Sequence, residues 1–311
     1  TEFNGLDALD DGRAVSVAAS WETTAAVRAI DLSGRSQQLS TSHSLPLARD
    51  EISIPEAVEI RGASGNTTHA FHFPPTNAAY ECSSELPPLI VLSHGGPTGA
   101  ARSSFDPAVQ YWTNRGIAVV DVNYRGSTGF GTSYRNMLRG QWGIADTEDC
   151  IATAKDLADK GLVDPIRLVI KGGSAGGFTT LCALTFSTLF AAGISRYGVA
   201  DLETLARDTH KFEARYLDSL VGEWPAEKDI YDARSPIHHT HRLSTPMIVL
   251  QGSDDPVVPP SQAEQLVEAL TNAGIPHSYV LFEGESHGFR KADTIARALD
   301  AELSFLGQVL G

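Results

Sequence analysis

Residues 167–180, RLVIKGGSAGGFTT, constrain this chain more than any other stretch. The run RLVIK is branched, apolar and of buried-strand length, and FTTLCAL over 178–184 reads as a buried helix. Between them GGSAGG must turn the chain from strand to helix in very few residues. Gly172, Ser174 and Gly176 fill the G-x-S-x-G of a nucleophile elbow, in which a serine sits on a strained turn. Glycine is needed on both flanks because a side chain there would collide with the adjoining strand or helix. A helix that starts at the serine also points free N–H groups at developing negative charge. Glycine-rich turns of this kind bind phosphates as well. Here no Gly-Lys-Ser/Thr ending follows, and the spacing G-x-G-x-x-G is not matched. Ser174 is therefore the candidate nucleophile.

The rest of the chain has the alternation that such a turn needs. Residues 89–92, 117–122, 191–195, 246–250 and 278–282 read as strands, with helices near 147–160 and 261–272 and a last one reaching Leu310. Strands alternating with helices imply a mostly parallel sheet covered on both faces. Residues 58–61 and 69–73 alternate like an antiparallel pair around a turn at 62–66, and 201–245 form a charged, aromatic-rich insertion. Residues 1–40 differ. Runs at 14–21 and 24–31, bounded by Asp10, Asp11 and Gly12 and by Ser33 and Gly34, read as short strands, and 36–39 starts another. They fit either one blade of a β-propeller or a β-meander packed on the main domain. The expected division is 1–57, blade and connector, and 58–311, the α/β domain.

A chain of 311 residues suits one large α/β domain with a small appendage. A net charge of −14 argues against nucleic acid and anionic membranes as partners. No apolar run is long enough to cross a bilayer and no signal peptide opens the chain, so a cytoplasmic location is expected. The chain begins at Thr1, and a natural start upstream is expected. Cys82, Cys150 and Cys182 show neither paired nor metal-like spacing.

A serine at neutral pH is a poor nucleophile and needs a base, which needs an orienting carboxylate. On this kind of fold the order is serine, acid, histidine, each in a loop after a strand. Asp254 and Asp255, in QGSDDPVVPP, both stand where the acid belongs, and His287, in FEGESHGF, stands where the base belongs. The sequence LSHGGP at 92–97 offers an oxyanion loop, with Gly96, or else Gly95, donating one N–H and Ala175 the other. His94 in that loop is a candidate substrate contact. So are Phe212, Glu213 and Tyr216 of the insertion, where Glu213 either pairs with a substrate amine or sits on a solvated helix. His238, His239 and His241 lack a carboxylate at ligand spacing and read as a cap or wet loop, so no metal and no cofactor are expected.

Five ordered motifs carry a resemblance: HGGP at 94–97, NYRGSTGFG at 123–131, GGSAGG at 172–177, QGSDDPVVPP at 251–260 and GESHGF at 284–289. Together they resemble the prolyl oligopeptidase family, and within it the acylaminoacyl-peptidase and aminopeptidase branch, from about Glu59 to the C-terminus. The resemblance implies an α/β-hydrolase with a mostly parallel central sheet, preceded by a short β segment like a propeller blade. It implies a serine peptidase that cleaves amide bonds near the amino terminus of short peptides or aminoacyl compounds through an acyl-enzyme. An esterase or aminoacyl-amide hydrolase of the same fold, and a binding protein without turnover, are the alternatives. The family pattern G-x-x-D-x-x-V-P selects Asp255 over Asp254. His94 stands where some members place a tyrosine, which implies a backbone-only oxyanion hole, and Pro256 and Val257 replace a basic residue found in others. Family members also carry a propeller. Val15, Val17, Trp21 and Val27 are then expected to need a neighbour, either a propeller fragment or a second copy of the chain.

Overall fold

The computed structural model describes residues 2–41, 47–62, 65–81, 85–208 and 215–311. Its strands fall into two sheets. Strands β1 (Glu2–Ala8), β2 (Ala14–Ser20), β3 (Thr23–Ile30) and β4 (Ser36–Thr41) pair antiparallel in chain order. Two of their three turns close on glycines with positive φ, Gly12 and Gly34, whose N–H groups donate to the Leu9 and Asp31 carbonyls. Strand β1 escapes sequence reading because Gly5 and a bulge between Asn4 and Leu6 break its alternation. Trp21, expected to need a partner outside this sheet, finds it in the main one. Its ring packs edge-on against Phe71 and Phe73, with centroids 5.0 and 5.8 Å away. The Phe105 N–H donates to the Ser20 carbonyl at the same turn (2.8 Å).

The second sheet has eight strands: β5 (Glu56–Arg61), β6 (Thr67–Phe73), β7 (Leu89–Ser93), β8 (Ala118–Asn123), β9 (Leu168–Gly173), β10 (Ala192–Arg196), β11 (Met247–Gly252) and β12 (His277–Phe282). Their order is β12-β11-β10-β9-β7-β8-β6-β5, antiparallel at β5, β6 and β8 and parallel from β8 to β12. The crossover helices are α1 (Pro107–Thr113), α2 (Gly131–Asn136), α3 (Ala145–Asp159) and α4 (Ala175–Phe186). The insertion adds α5 (Leu202–Asp208), α6 (Tyr216–Leu220) and α7 (Lys228–Arg234), and α8 (Pro260–Asn272) and α9 (Ala292–Leu310) follow. One apolar core lies under α3, α4 and α8, the other under α1 and α9, so the central strands are buried on both faces. Asp106 starts α1 by accepting the Ala108 N–H (2.7 Å).

One buried ion cluster ties the elbow strand to the last helix. Lys171 on β9 and Arg196 on β10 project to the α9 face, where the fully buried Glu302 meets Lys171 Nζ at 2.6 Å and Arg196 Nε at 2.5 Å. Burial alone would push the Glu302 carboxyl up, but the two cations outweigh it and hold it below its usual range. Lys171, buried and facing a second cation, is lowered to about 8. Removing Glu302 would strand two cations in the interior, the costly way to break such a cluster.

Candidate active site

Ser174 sits at the end of β9 with φ 55° and ψ −122°, the strained geometry an elbow demands. Two glycines make room for it. A Cβ on Gly172 would overlap the Gly176 carbonyl oxygen of α4, and one on Gly176 would overlap the Ser93 carbonyl oxygen of β7. The helix that follows presents the Ala175 N–H in its first turn, where no helical acceptor exists.

The candidate acid and the candidate base arrive from the loops after β11 and β12. The His287 Nδ1–H donates to Asp255 Oδ2 at 2.8 Å, because a carboxylate can only accept there. The other ring nitrogen, Nε2, is left to accept the Ser174 hydroxyl, also at 2.8 Å. Asp255 is buried, and its second oxygen accepts the Val257 and Val258 N–H groups, both at 2.9 Å. Asp254 is exposed, and its carboxylate accepts the Ser253 hydroxyl. The turn thus gives the two adjacent carboxylates separate tasks. Glu285, also buried, shapes the base loop by accepting the Arg290 and Lys291 N–H groups (3.1 Å each). Tyr197 flanks His287 edge-on at 5.0 Å and Phe289 at the same distance. Its φ of 38° is a conformation that no sequence pattern announces.

A cavity of about 270 Å³ opens beside Ser174 and His287, with Gly96 and Ala175 on its rim. Its walls are largely apolar: Trp142, Val199, Leu205, Leu217 and Val258, with Tyr216 from the insertion. Tyr216, one of the candidate substrate contacts, is thus among the lining residues. Phe212 and Glu213 lie outside the described residues. Trp142, Val199 and Val258 come from loops with no periodic signal, and the sequence reading did not find them.

His94 is placed with the supports of the oxyanion loop, away from the cavity's lining. Its ring stacks on Tyr124 (4.1 Å between centroids), with Nδ1 2.9 Å from the Gly95 carbonyl and Nε2 2.7 Å from the Ser127 hydroxyl. Burial lowers the His94 imidazole to about 4, against a smaller upward pull from the Gly95 carbonyl. It is neutral at neutral pH. Elsewhere, His238, His239 and His241 fall in a 3-10 turn, where His239 Nε2 lies 3.0 Å from the Ala233 carbonyl. Cys150 and Cys182 are buried free thiols, and Cys82 lies outside the described residues.

A parallel sheet with a serine elbow after its central strand, and loops carrying acid and histidine after the next strands, defines an α/β-hydrolase. The prolyl oligopeptidase family matches residues 103–311. This chain belongs to that family. It is 34% identical over 230 residues to dipeptidyl aminopeptidase BIII of Pseudoxanthomonas mexicana, covering 72% of this chain and 33% of that protein. Among solved structures, a puromycin hydrolase superposes with a TM-score of 0.96 at 42% identity, over 100% of this chain and 48% of the other. A puromycin-hydrolyzing peptidase of Mycobacterium tuberculosis gives 0.93 at 46% identity, over 96% and 46% of the two chains. The chain thus spans about a third of the curated relative and just under half of each solved one. No helix among the described residues is long and apolar enough to cross a membrane.

Proposed function

We propose that this chain carries the catalytic centre of a serine peptidase that cleaves amide bonds near the amino terminus of short peptides or aminoacyl compounds. The observation that carries the reading is the hydrogen-bonded run from Ser174 through His287 to the buried Asp255, with both links at 2.8 Å. Ser174 Oγ attacks the scissile carbonyl while its proton passes to His287 Nε2, and Asp255 supports the imidazolium through Nδ1–H. The N–H groups of Gly96 and Ala175 hold the oxyanion. Collapse hands the proton to the leaving amine and leaves an acyl ester on Ser174, which water hydrolyses with the same base. The apolar cavity favours an apolar side chain on the residue that supplies the scissile carbonyl. The solved relatives named for puromycin hydrolysis make that aminoacyl amide the first substrate to try.

Residues 1–57 fit a propeller edge with its connector, and 58–311 the catalytic domain. In this reading the protein is cytoplasmic, and a propeller fragment or a second copy covers the small sheet. The test is labelling with a fluorophosphonate, which marks only an activated serine, beside turnover of puromycin, acyl-aminoacyl amides and esters. Ser174→Ala is expected to abolish labelling and lower kcat by roughly four to six orders of magnitude. Labelling that persists in that variant, or none in the parent, overturns the reading. Turnover of esters with no amide cleavage moves it to an esterase.

A further inference from the structure

The oxyanion loop, residues 94–99, is gripped from two sides. On one side stands the stretch that follows β8. The Tyr124 hydroxyl lies 2.9 Å from the His94 carbonyl and 3.0 Å from the Pro97 carbonyl. The Thr128 N–H donates to the Gly99 carbonyl at 2.7 Å, and Asn123 Oδ1 accepts the Ala101 N–H at 2.9 Å. The motif NYRGST, which no catalytic step uses, is thus the loop's scaffold. On the cavity side the contact comes from the insertion. The Tyr216 hydroxyl shares a hydrogen bond with the Thr98 hydroxyl at 2.6 Å and accepts the Thr98 N–H at 3.3 Å. The ring of the same Tyr216 lines the cavity beside Ser174. Gly96 is two residues before Thr98, at φ +127°, in a turn so tight that a Cβ there would press on the Thr98 nitrogen. A shift of Thr98 therefore moves Gly96.

We propose that the Tyr216 hydroxyl is a positioning group. By holding Thr98 it sets the aim of the Gly96 N–H, so that the wall receiving the substrate side chain and the loop stabilising its carbonyl form one hydrogen-bonded unit. The inference rests on the peptidase reading with Gly96 as an oxyanion donor. A donor is effective only at the position the oxyanion will occupy, so a loosened loop weakens the transition state more than the bound substrate. A residue that is only wall loses ground-state and transition-state binding together.

The two roles separate in the variants Tyr216→Phe and Thr98→Val, which keep the ring and the side-chain shape and remove one hydroxyl each. Each is expected to lower kcat about threefold to tenfold, the range of one net hydrogen bond, with KM little changed. The double variant is expected to fall no further than the worse single one. A peptide aldehyde that forms a tetrahedral adduct on Ser174 should lose affinity by a similar factor. A raised KM at unchanged kcat, or losses that multiply in the double variant, overturns the tether. Fluorophosphonate labelling keeps the two failures apart. A parent protein that is not labelled overturns the peptidase reading and the tether with it, whereas labelled variants with multiplying losses overturn the tether alone.

Discussion

Asp254 and Asp255 are adjacent and chemically identical, and one loop gives them opposite surroundings. Asp255 is buried with four donors around its oxygens: His287, the Val257 and Val258 N–H groups, and the Gln251 amide at 3.4 Å. Asp254 faces water and closes a local contact with Ser253. The two asparagine variants therefore test the acid assignment directly. Asp255→Asn replaces an acceptor by a group that leaves the imidazole in the wrong tautomer, and kcat is expected to fall by about four orders of magnitude. Asp254→Asn is expected to stay within a factor of a few. Steady-state kinetics on one aminoacyl amide decide it, and equal losses would move the acid or dissolve the triad.

The candidate oxyanion loop carries a histidine that links its stability to pH. His94 is held neutral in the fold, its imidazole lowered by burial from 6.5 to about 4. Between those values the unfolded chain binds a proton that the folded one refuses. Stability from this site is therefore complete above about pH 6.5 and drains away as pH falls toward 4. The loss is at most about 3 kcal/mol for a shift of this size, less what solvent reaches in a half-buried ring. His94→Gln removes the titration, so its urea midpoint is expected to vary less between pH 6.5 and 4 than that of the parent chain. Parallel curves would show that another group dominates. Elements of this kind were partly legible in the sequence. The elbow was, because glycines at fixed spacing after an apolar run have few other uses, and His287 followed from chain order. The scaffold role of Tyr124 was not, since it depends on how β7 and β8 lie side by side. Glu302 reads in sequence as one more acid on an amphipathic helix, and only the register of β9 and β10 brings Lys171 and Arg196 to it. Of the cavity walls from 201–245, Tyr216 was offered by the sequence, whereas Leu205 and Leu217 carry no signal that sets them apart from core residues.

At the scale of the whole molecule, the small sheet meets the large one mainly at the turn that carries Trp21. Elsewhere its cover is uneven, with Ala18, Ala26 and Ala29 buried but other apolar side chains open. Val17 and Val27 pair directly across β2 and β3, yet 42% and 36% of their surfaces remain exposed. Phe3, Leu6 and Leu39 on the outer strands are exposed as well. An exposed pair of branched apolar side chains in mid-sheet, with further apolar side chains exposed on the outer strands, is a surface that proteins rarely leave to water. The expected outcome for the chain on its own is concentration-dependent association through this sheet. Threonine keeps the branched shape and β preference of valine while adding a hydroxyl, so the pair Val17→Thr and Val27→Thr should still form the strands. Because both sites are already partly in water, the change in unfolding free energy should be within about 0.5 kcal/mol for each. Sedimentation velocity over a concentration series should then show less association in the double variant than in the parent. Turnover of a small aminoacyl amide should not change, since the residues assigned to catalysis lie between Gly96 and His287 in the other sheet's loops. Association that the two threonines leave untouched would place the contact elsewhere on the molecule.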